Sequence, residues 1–194
     1  SVTGVQTCAL PIFNEELAYA LGRSLAFYLK AKTLVIGHDI RLSGPSLRDA
    51  AVRGMRDMGT HVIDLGQCGT EMIYFATYFL QLDGGIMITA SHNPMDYNGM
   101  KLVRENARPI GADSGLKEIQ ALAESEDFVE VAQKGLIQPY NIVPEFIDHL
   151  MTYINPEKIR PLKLVVNAGN GAAGHVIDAI EAKFKELNVP IEFI

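Results

Sequence analysis

An α/β fold, with a mostly parallel sheet between helices, is what three features of this sequence predict. Short apolar runs alternate with helical repeats from Asn14 onward. Each run ends in a polar or glycine-bearing loop, and after Leu136 the alternation starts again. Strand, helix, strand at this spacing implies parallel strands with helices on both faces, a three-layer α/β/α arrangement.

The elements follow in order. Residues 14–30 form the first helix: Asn14 caps it, Glu15 and Glu16 suit the first turn, and Leu17, Leu21, Leu25 and Leu29 share one face. A buried strand over 34–37 opens into a polar loop over 38–45. Ser46 caps a second helix to residue 58, with Leu47, Ala51 and Met55 inward. A strand over 61–65, a turn over 66–69 and a helix over 70–80 come next. Residues 84–89 are a third strand, running straight into a loop over 90–99; a short strand over 101–103 and a helix over 113–123 follow. Ligands in such sheets gather beyond the carboxyl ends of the strands, so the loops after Gly37, Leu65 and Thr89 are expected to converge.

Further on, a connecting helix over 139–153 carries Ile142, Phe146, Leu150 and Ile154 on one stripe. It leads to a strand over 162–166, a glycine-rich turn over 167–174, a helix to 187 and a strand from 190. One such unit cannot close a two-sided core. Residues 14–137 therefore read as a complete first domain and 138–194 as a connecting helix with an incomplete second domain. Residues 1–13 follow neither pattern and are expected to be a non-native leader.

Composition narrows the function. About half of the 194 residues are apolar, and 17 basic against 23 acidic side chains leave a net charge of −6. With no basic block, nucleic acid is not an expected partner, whereas a few Arg, Lys and backbone N–H groups suffice for a local anion site. Cys8 and Cys68 match no zinc or CxxC spacing, which fits a reducing cytoplasmic setting. No apolar run reaches the roughly 20 residues that span a bilayer, and residues 1–13 lack the basic start of a signal peptide.

The sharpest chemical signal is Thr89-Ala-Ser-His-Asn-Pro94. It places the Ser91 hydroxyl at the end of a buried strand, with Pro94 restricting Asn93 to extended conformations. Ser91 is a candidate nucleophile or ester site; an ordinary polar loop is the plainer alternative. His92 is a candidate for proton transfer or for a hydrogen bond to phosphate, against a plain surface role. In Gly37-His-Asp-Ile-Arg41, Arg41 has the planar fork that grips phosphate and Asp39 is placed to orient the loop; a structural ion pair is the other reading. Asn98-Gly99-Met-Lys101 sets Lys101 close behind the serine, as a phosphate partner, a proton relay or a surface lysine. The run 167–174 lacks both common nucleotide-cradle patterns and reads as tight turn geometry. Tyr74, Phe75 and Tyr78 read as packing.

Together these segments resemble the alpha-D-phosphohexomutase superfamily. Residues 89–94 look like its phosphoserine loop, 37–43 like its first arginine loop, 98–101 like the segment carrying its acid/base lysine, and 166–174 like the opening of its second domain. The runs 70–77 and 95–104 favour the phosphomannomutase branch. The resemblance covers residues 14–194. It implies a phosphoryl group on Ser91 that passes to mannose 6-phosphate or mannose 1-phosphate and returns from a bisphosphorylated sugar, leading toward GDP-mannose. It further implies Mg²⁺ at that phosphate, with Ser91 the contribution of this chain, and glucose or mannose 1,6-bisphosphate as activator or intermediate. Lys101 would be the general acid/base, with His92, Arg41 and Asp39 supporting the loop that Asn93, Asn98 and Gly99 shape. The family opens with a strand and an arginine loop that residues 1–13 do not show, and its metal-binding aspartates, sugar-selecting loop and last phosphate-binding domain have no counterpart in the sequence. The expectation is an inactive piece of a longer cytoplasmic enzyme, itself a monomer or weak dimer. Phosphoglucomutase or phosphoglucosamine mutase remains open for the sugar; a serine phosphatase-like hydrolase or a non-catalytic sugar-phosphate binding domain are readings of another class.

Overall fold

The computed structural model describes residues 13–125, 127–129, 131–169 and 171–194. The expected leader over 1–13 lies, apart from Phe13, outside the described residues; Phe13 packs against the core. The chain divides into two compact units, one ending at Tyr140 and the other comprising Asn141–Ile194.

The first unit opens with helix α1 (Glu15–Leu29), where the Asn14 side chain accepts the Leu17 N–H at 2.9 Å. Strand β1 (Thr33–His38) is followed by α2 (Gly44–Asp57). This helix starts two residues earlier than expected, because Pro45 suits a first turn, where its missing N–H forfeits nothing. Ser46 is therefore not the cap; its hydroxyl donates back to the Ser43 carbonyl. Helices α1 and α2 cross closely. A Cβ on Gly22 would lie 2.4 Å from the Ala51 oxygen and one on Gly54 2.2 Å from that of Tyr19, so only glycine fits at either point.

Strand β2 (His61–Gln67), helix α3 (Thr70–Phe79) and strand β3 (Gly84–Ile88) come next, then β4 (Met100–Arg104) and β5 (Arg108–Pro109). Helix α4 (Leu116–Ser125) begins three residues later than expected. Gly115 sits at φ +122, a conformation that ends any helix extending upstream. Strand β6 (Ile137–Pro139) was not expected; three exposed residues carry no readable alternation.

The sheet order is β5-β4-β3-β1-β2-β6. β1 pairs in parallel with β2 and β3, and β2 with β6, while β4 runs antiparallel to β3 and β5. On one face Leu34, Ile36, Val62, Ile86, Ile88, Met100 and Leu102 bury against Leu25, Leu47, Met55 and Ile119 of the helices. Each such side chain contributes about 1.5–3 kcal/mol of burial. The other face carries α3, where Ile73 comes so near Gly85 that a Cβ there would be 3.2 Å away. The result is the expected three-layer α/β/α arrangement with a mixed, mostly parallel sheet. From β1 the chain moves to β2 on one side, then returns past β1 to build β3 on the other. In open α/β sheets the ligand crevice lies at such a reversal, here beyond the carboxyl ends of β1 and β3.

The second unit contains α5 (Val143–Met151), shorter at both ends than the predicted 139–153, with Pro144 in its first turn and Phe146 and Ile147 buried. Strands β7 (Leu162–Leu164) and β8 (Ile191–Phe193) pair in parallel, and α6 (Gly174–Glu186) lies between them in sequence and packs on α5. The rings of Phe184 and Phe193 meet at 5.9 Å.

Candidate functional site

Two loops meet at the reversal point: the one after β1 and the one over 89–99 that joins β3 to β4. Their backbones are already tied, the Asp39 N–H donating to the Ile88 carbonyl at 3.0 Å and the Thr89 N–H to that of Gly99 at 2.9 Å. The loop after β2 joins them through the Cys68 N–H, which donates to the His38 carbonyl at 2.9 Å.

Ser91 is exposed, and its φ of 56 puts a non-glycine residue in the left-handed region. That conformation costs about 1–2 kcal/mol and persists only where the surroundings impose it. Here they do. The Ser91 N–H donates to Thr89 Oγ1 at 3.0 Å, and the buried Thr89 hydroxyl donates in turn to Asp39 Oδ2 at 2.6 Å. The Ser91 carbonyl accepts from Arg41 Nη2 at 2.9 Å.

Arg41 organises the rest of the loop. Nη2 also donates to the Asn93 carbonyl at 2.7 Å, while Nη1 donates to those of Pro94 and Tyr97 at 2.6 and 2.8 Å. Nε faces Asp39 Oδ2 at 3.3 Å. The four Nη donors are thus directed at backbone carbonyls, while the buried Nε faces Asp39 as an ion pair without a hydrogen bond. The Nη atoms hold these four carbonyls because the loop turns its oxygens inward around the fork. Asp39 bonds within its own loop as well, its Oδ1 accepting the Arg41 N–H at 3.0 Å.

The remaining candidates hold the loop's flanks or face outward. Asn93 donates through Nδ2 to the Ala90 carbonyl at 2.8 Å. Asn98 is buried; its Nδ2 donates to Ser43 Oγ at 2.8 Å and its Oδ1 accepts the Gly99 N–H at 2.9 Å. His92 is exposed, with Nδ1 3.4 Å from Ser91 Oγ, at the outer limit of a hydrogen bond. Lys101 lies opposite Met87 in the β3–β4 ladder, half-buried, and its ammonium has no hydrogen bond or ion pair among the described residues. Sequence reasoning gave no role to the Thr89 or Ser43 hydroxyls. The one available signal was a threonine closing an otherwise apolar strand.

Residues 3–130 match the family model for phosphoglucomutase/phosphomannomutase, alpha/beta/alpha domain I. The chain belongs to this family. It is 55% identical over 186 residues to a phosphomannomutase of Vibrio cholerae serotype O1, an alignment covering 93% of this chain and 40% of that protein. It is 54% identical over 183 residues to a phosphomannomutase of Escherichia coli K12, with the same coverage. Among solved structures, a phosphoglucomutase/phosphomannomutase family protein from Burkholderia thailandensis superposes with a TM-score of 0.75 at 32% identity, covering 94% of this chain and 40% of its own. The chain spans about 40% of the length of the curated relatives it matches.

Within this phosphomutase domain the charges near the strand ends are balanced locally. Arg48 pairs with Asp64 of β2 and with Asp49, as Arg41 does with Asp39. Burial, with Glu71, Asp64 and Asp39 adding negative charge, pushes the Cys68 thiol up to about 12. It is therefore packing rather than a nucleophile. Among the described residues no group of three or more His, Cys, Asp or Glu is placed to hold a metal ion, and no helix is long and apolar enough to cross a membrane.

Proposed function

We propose that the parent protein is a phosphomannomutase, interconverting mannose 6-phosphate and mannose 1-phosphate for GDP-mannose formation, with Ser91 as the residue that carries the phosphoryl group. The observation that carries this reading is Ser91 itself: an exposed hydroxyl whose backbone is pinned from both sides in a strained conformation, at the reversal point of the sheet. In-line phosphoryl transfer rests on positioning more than on covalent chemistry, and a fixed hydroxyl on a stiff support meets that demand.

In this reading the bond from phosphorus to Ser91 Oγ breaks as a bond to a sugar hydroxyl oxygen forms. Lys101 accepts that hydroxyl's proton and returns one in the reverse step. The bisphosphorylated sugar turns and gives its other phosphate back to Ser91, which is why glucose or mannose 1,6-bisphosphate acts as activator. Arg41 and Asp39 keep the loop in shape, Asn93, Asn98 and Gly99 hold its flanks, and His92 lies near enough to Ser91 Oγ to support the phosphate. Mg²⁺ belongs to the same proposal as neutralising charge at the phosphate. The described residues do not form a site for it by themselves, so Ser91, through its phosphate, is the one metal contact assigned here. Turnover is accordingly proposed for the parent, as a cytoplasmic monomer or weak dimer, and not for these 194 residues alone.

Intact-protein mass and peptide mapping of the parent test the reading. Phosphate on the peptide containing Ser91, absent after Ser91→Ala together with activity, is the expected result; phosphate retained in the alanine variant overturns it. Assays with mannose, glucose and glucosamine phosphates test the sugar, and preferred turnover of the glucosamine ester would reassign it.

A further inference from the structure

We propose that Thr89 is a positioning residue for phosphoryl transfer: its hydroxyl links Asp39 to the Ser91 amide and so fixes the direction in which Ser91 Oγ faces the crevice. The inference rests on the reading of Ser91 as the phosphoryl carrier. Chemistry sets the sense of the relay. An amide N–H only donates and a carboxylate only accepts, so the threonine proton goes to Asp39 Oδ2 at 2.6 Å while an oxygen lone pair takes the Ser91 N–H at 3.0 Å. Thr89 is 4% exposed, so water is a poor substitute for either bond.

Arg41 holds Ser91 from the other side, through its carbonyl. The peptide groups before and after Ser91 are thus anchored separately, one by Thr89 and one by Arg41. Both anchors are needed to keep a serine at φ 56, because an L side chain relaxes out of the left-handed region when either peptide is free to turn. Losing the Thr89 anchor leaves the loop in place, held by Arg41 at Asn93, Pro94 and Tyr97, and frees the peptide that aims Oγ. A misplacement of about 1 Å at a reacting atom can cost roughly 100-fold in rate.

The test compares Thr89→Val, which keeps the shape and removes the hydroxyl, with Thr89→Ser, which keeps the hydroxyl, both in the full-length parent. Thr89→Val is expected to lower kcat for hexose-phosphate isomerisation by roughly 10- to 100-fold with KM within about twofold, while Thr89→Ser stays within about threefold of the parent. Amide hydrogen exchange over residues 89–97 is expected to quicken in the valine variant and not in the serine variant. Parental kcat and parental exchange in Thr89→Val would overturn the proposal. If the valine variant does not fold, Thr89→Ala read against Thr89→Ser makes the same comparison. The exchange measurement reports on the Thr89 contact whether or not Ser91 carries phosphate. A parent that turns over with an unmodified Ser91 would therefore sink the phosphoserine reading and leave the exchange result to decide the contact.

Discussion

The loop over 89–99 and the loop over 167–173 both leave the end of a strand, yet they are held by different means. In the first, the decisive bonds come from far away in sequence: Arg41 and Asp39 reach residues 50 to 56 positions later. In the second, the Val166 N–H just after β7 donates to the Ile194 carbonyl at 3.0 Å, and beyond it the bonds among the described residues are local. Asn167 Oδ1 accepts the Gly169 N–H at 2.8 Å and the Ala168 carbonyl accepts that of Gly171 at 3.2 Å. The cause lies in the strands beneath. β3 has β1 on one side and β4 on the other, so its loop has a neighbouring loop to lean on; β7 pairs with β8 alone among the described residues. A loop gains a single conformation from neighbours on the sheet more than from its own turn residues.

Removing the distant anchor tests this most severely. Arg41→Ala should destabilise the first unit by about 3 kcal/mol, because it removes the guanidinium from four carbonyls and leaves the mostly buried Asp39 carboxylate without its ion-pair partner. Of the four, only the Pro94 carbonyl keeps another donor among the described residues, the Tyr97 N–H. Arg41→Lys should recover little of it, since an ammonium cannot reproduce the fork. A urea midpoint close to that of the parent in either variant would show that the loop holds itself.

Glycines offer the next contrast. A Cβ on Gly37 would lie 2.3 Å from the Cys68 sulfur, so Gly37→Ala should cost about 1–3 kcal/mol by overpacking. Gly169 has open space around it but a φ of +59, so Gly169→Ala should cost only the backbone strain, about 1 kcal/mol. Thermal unfolding of both variants measures the difference, and a reversed order would mean that the second loop is the more constrained.

Cys68 probes the buried side of the first region through pH. Its folded thiol is raised from 9.0 to about 12, chiefly by burial. The stability it contributes is full below 9 and falls as pH climbs from there toward 12, by at most about 1.4 kcal/mol per pH unit. Cys68→Ser, which does not titrate, should flatten that alkaline limb; Tyr19 and Tyr74, also raised by burial, tilt it the same way in both proteins. Equal slopes would mean that the thiol is not sealed off. The smallest effect belongs to the second unit, where Lys163 and Glu192 pair across β7 and β8 with both side chains more than half exposed. Lys163→Ala should change stability by less than about 1 kcal/mol in a denaturation experiment.

Local chemistry was legible in the residues alone. The leucine repeat and Asn14 cap announced α1, the apolar runs announced β1 and β3, and a serine at the end of a buried strand marked the candidate site, because periodicity and capping act within a few residues. Tertiary structure decided what depends on partners far along the chain. It added β6, whose three residues are a strand only because β2 lies beside them. It moved the starts of α2 and α4, set the Arg41 fork among four carbonyls, and gave the Thr89 hydroxyl two partners that a reading of its own strand cannot supply. Sequence spacing specifies which groups a residue carries; which of them meet is set by the strand order that brings β1 and β3 together.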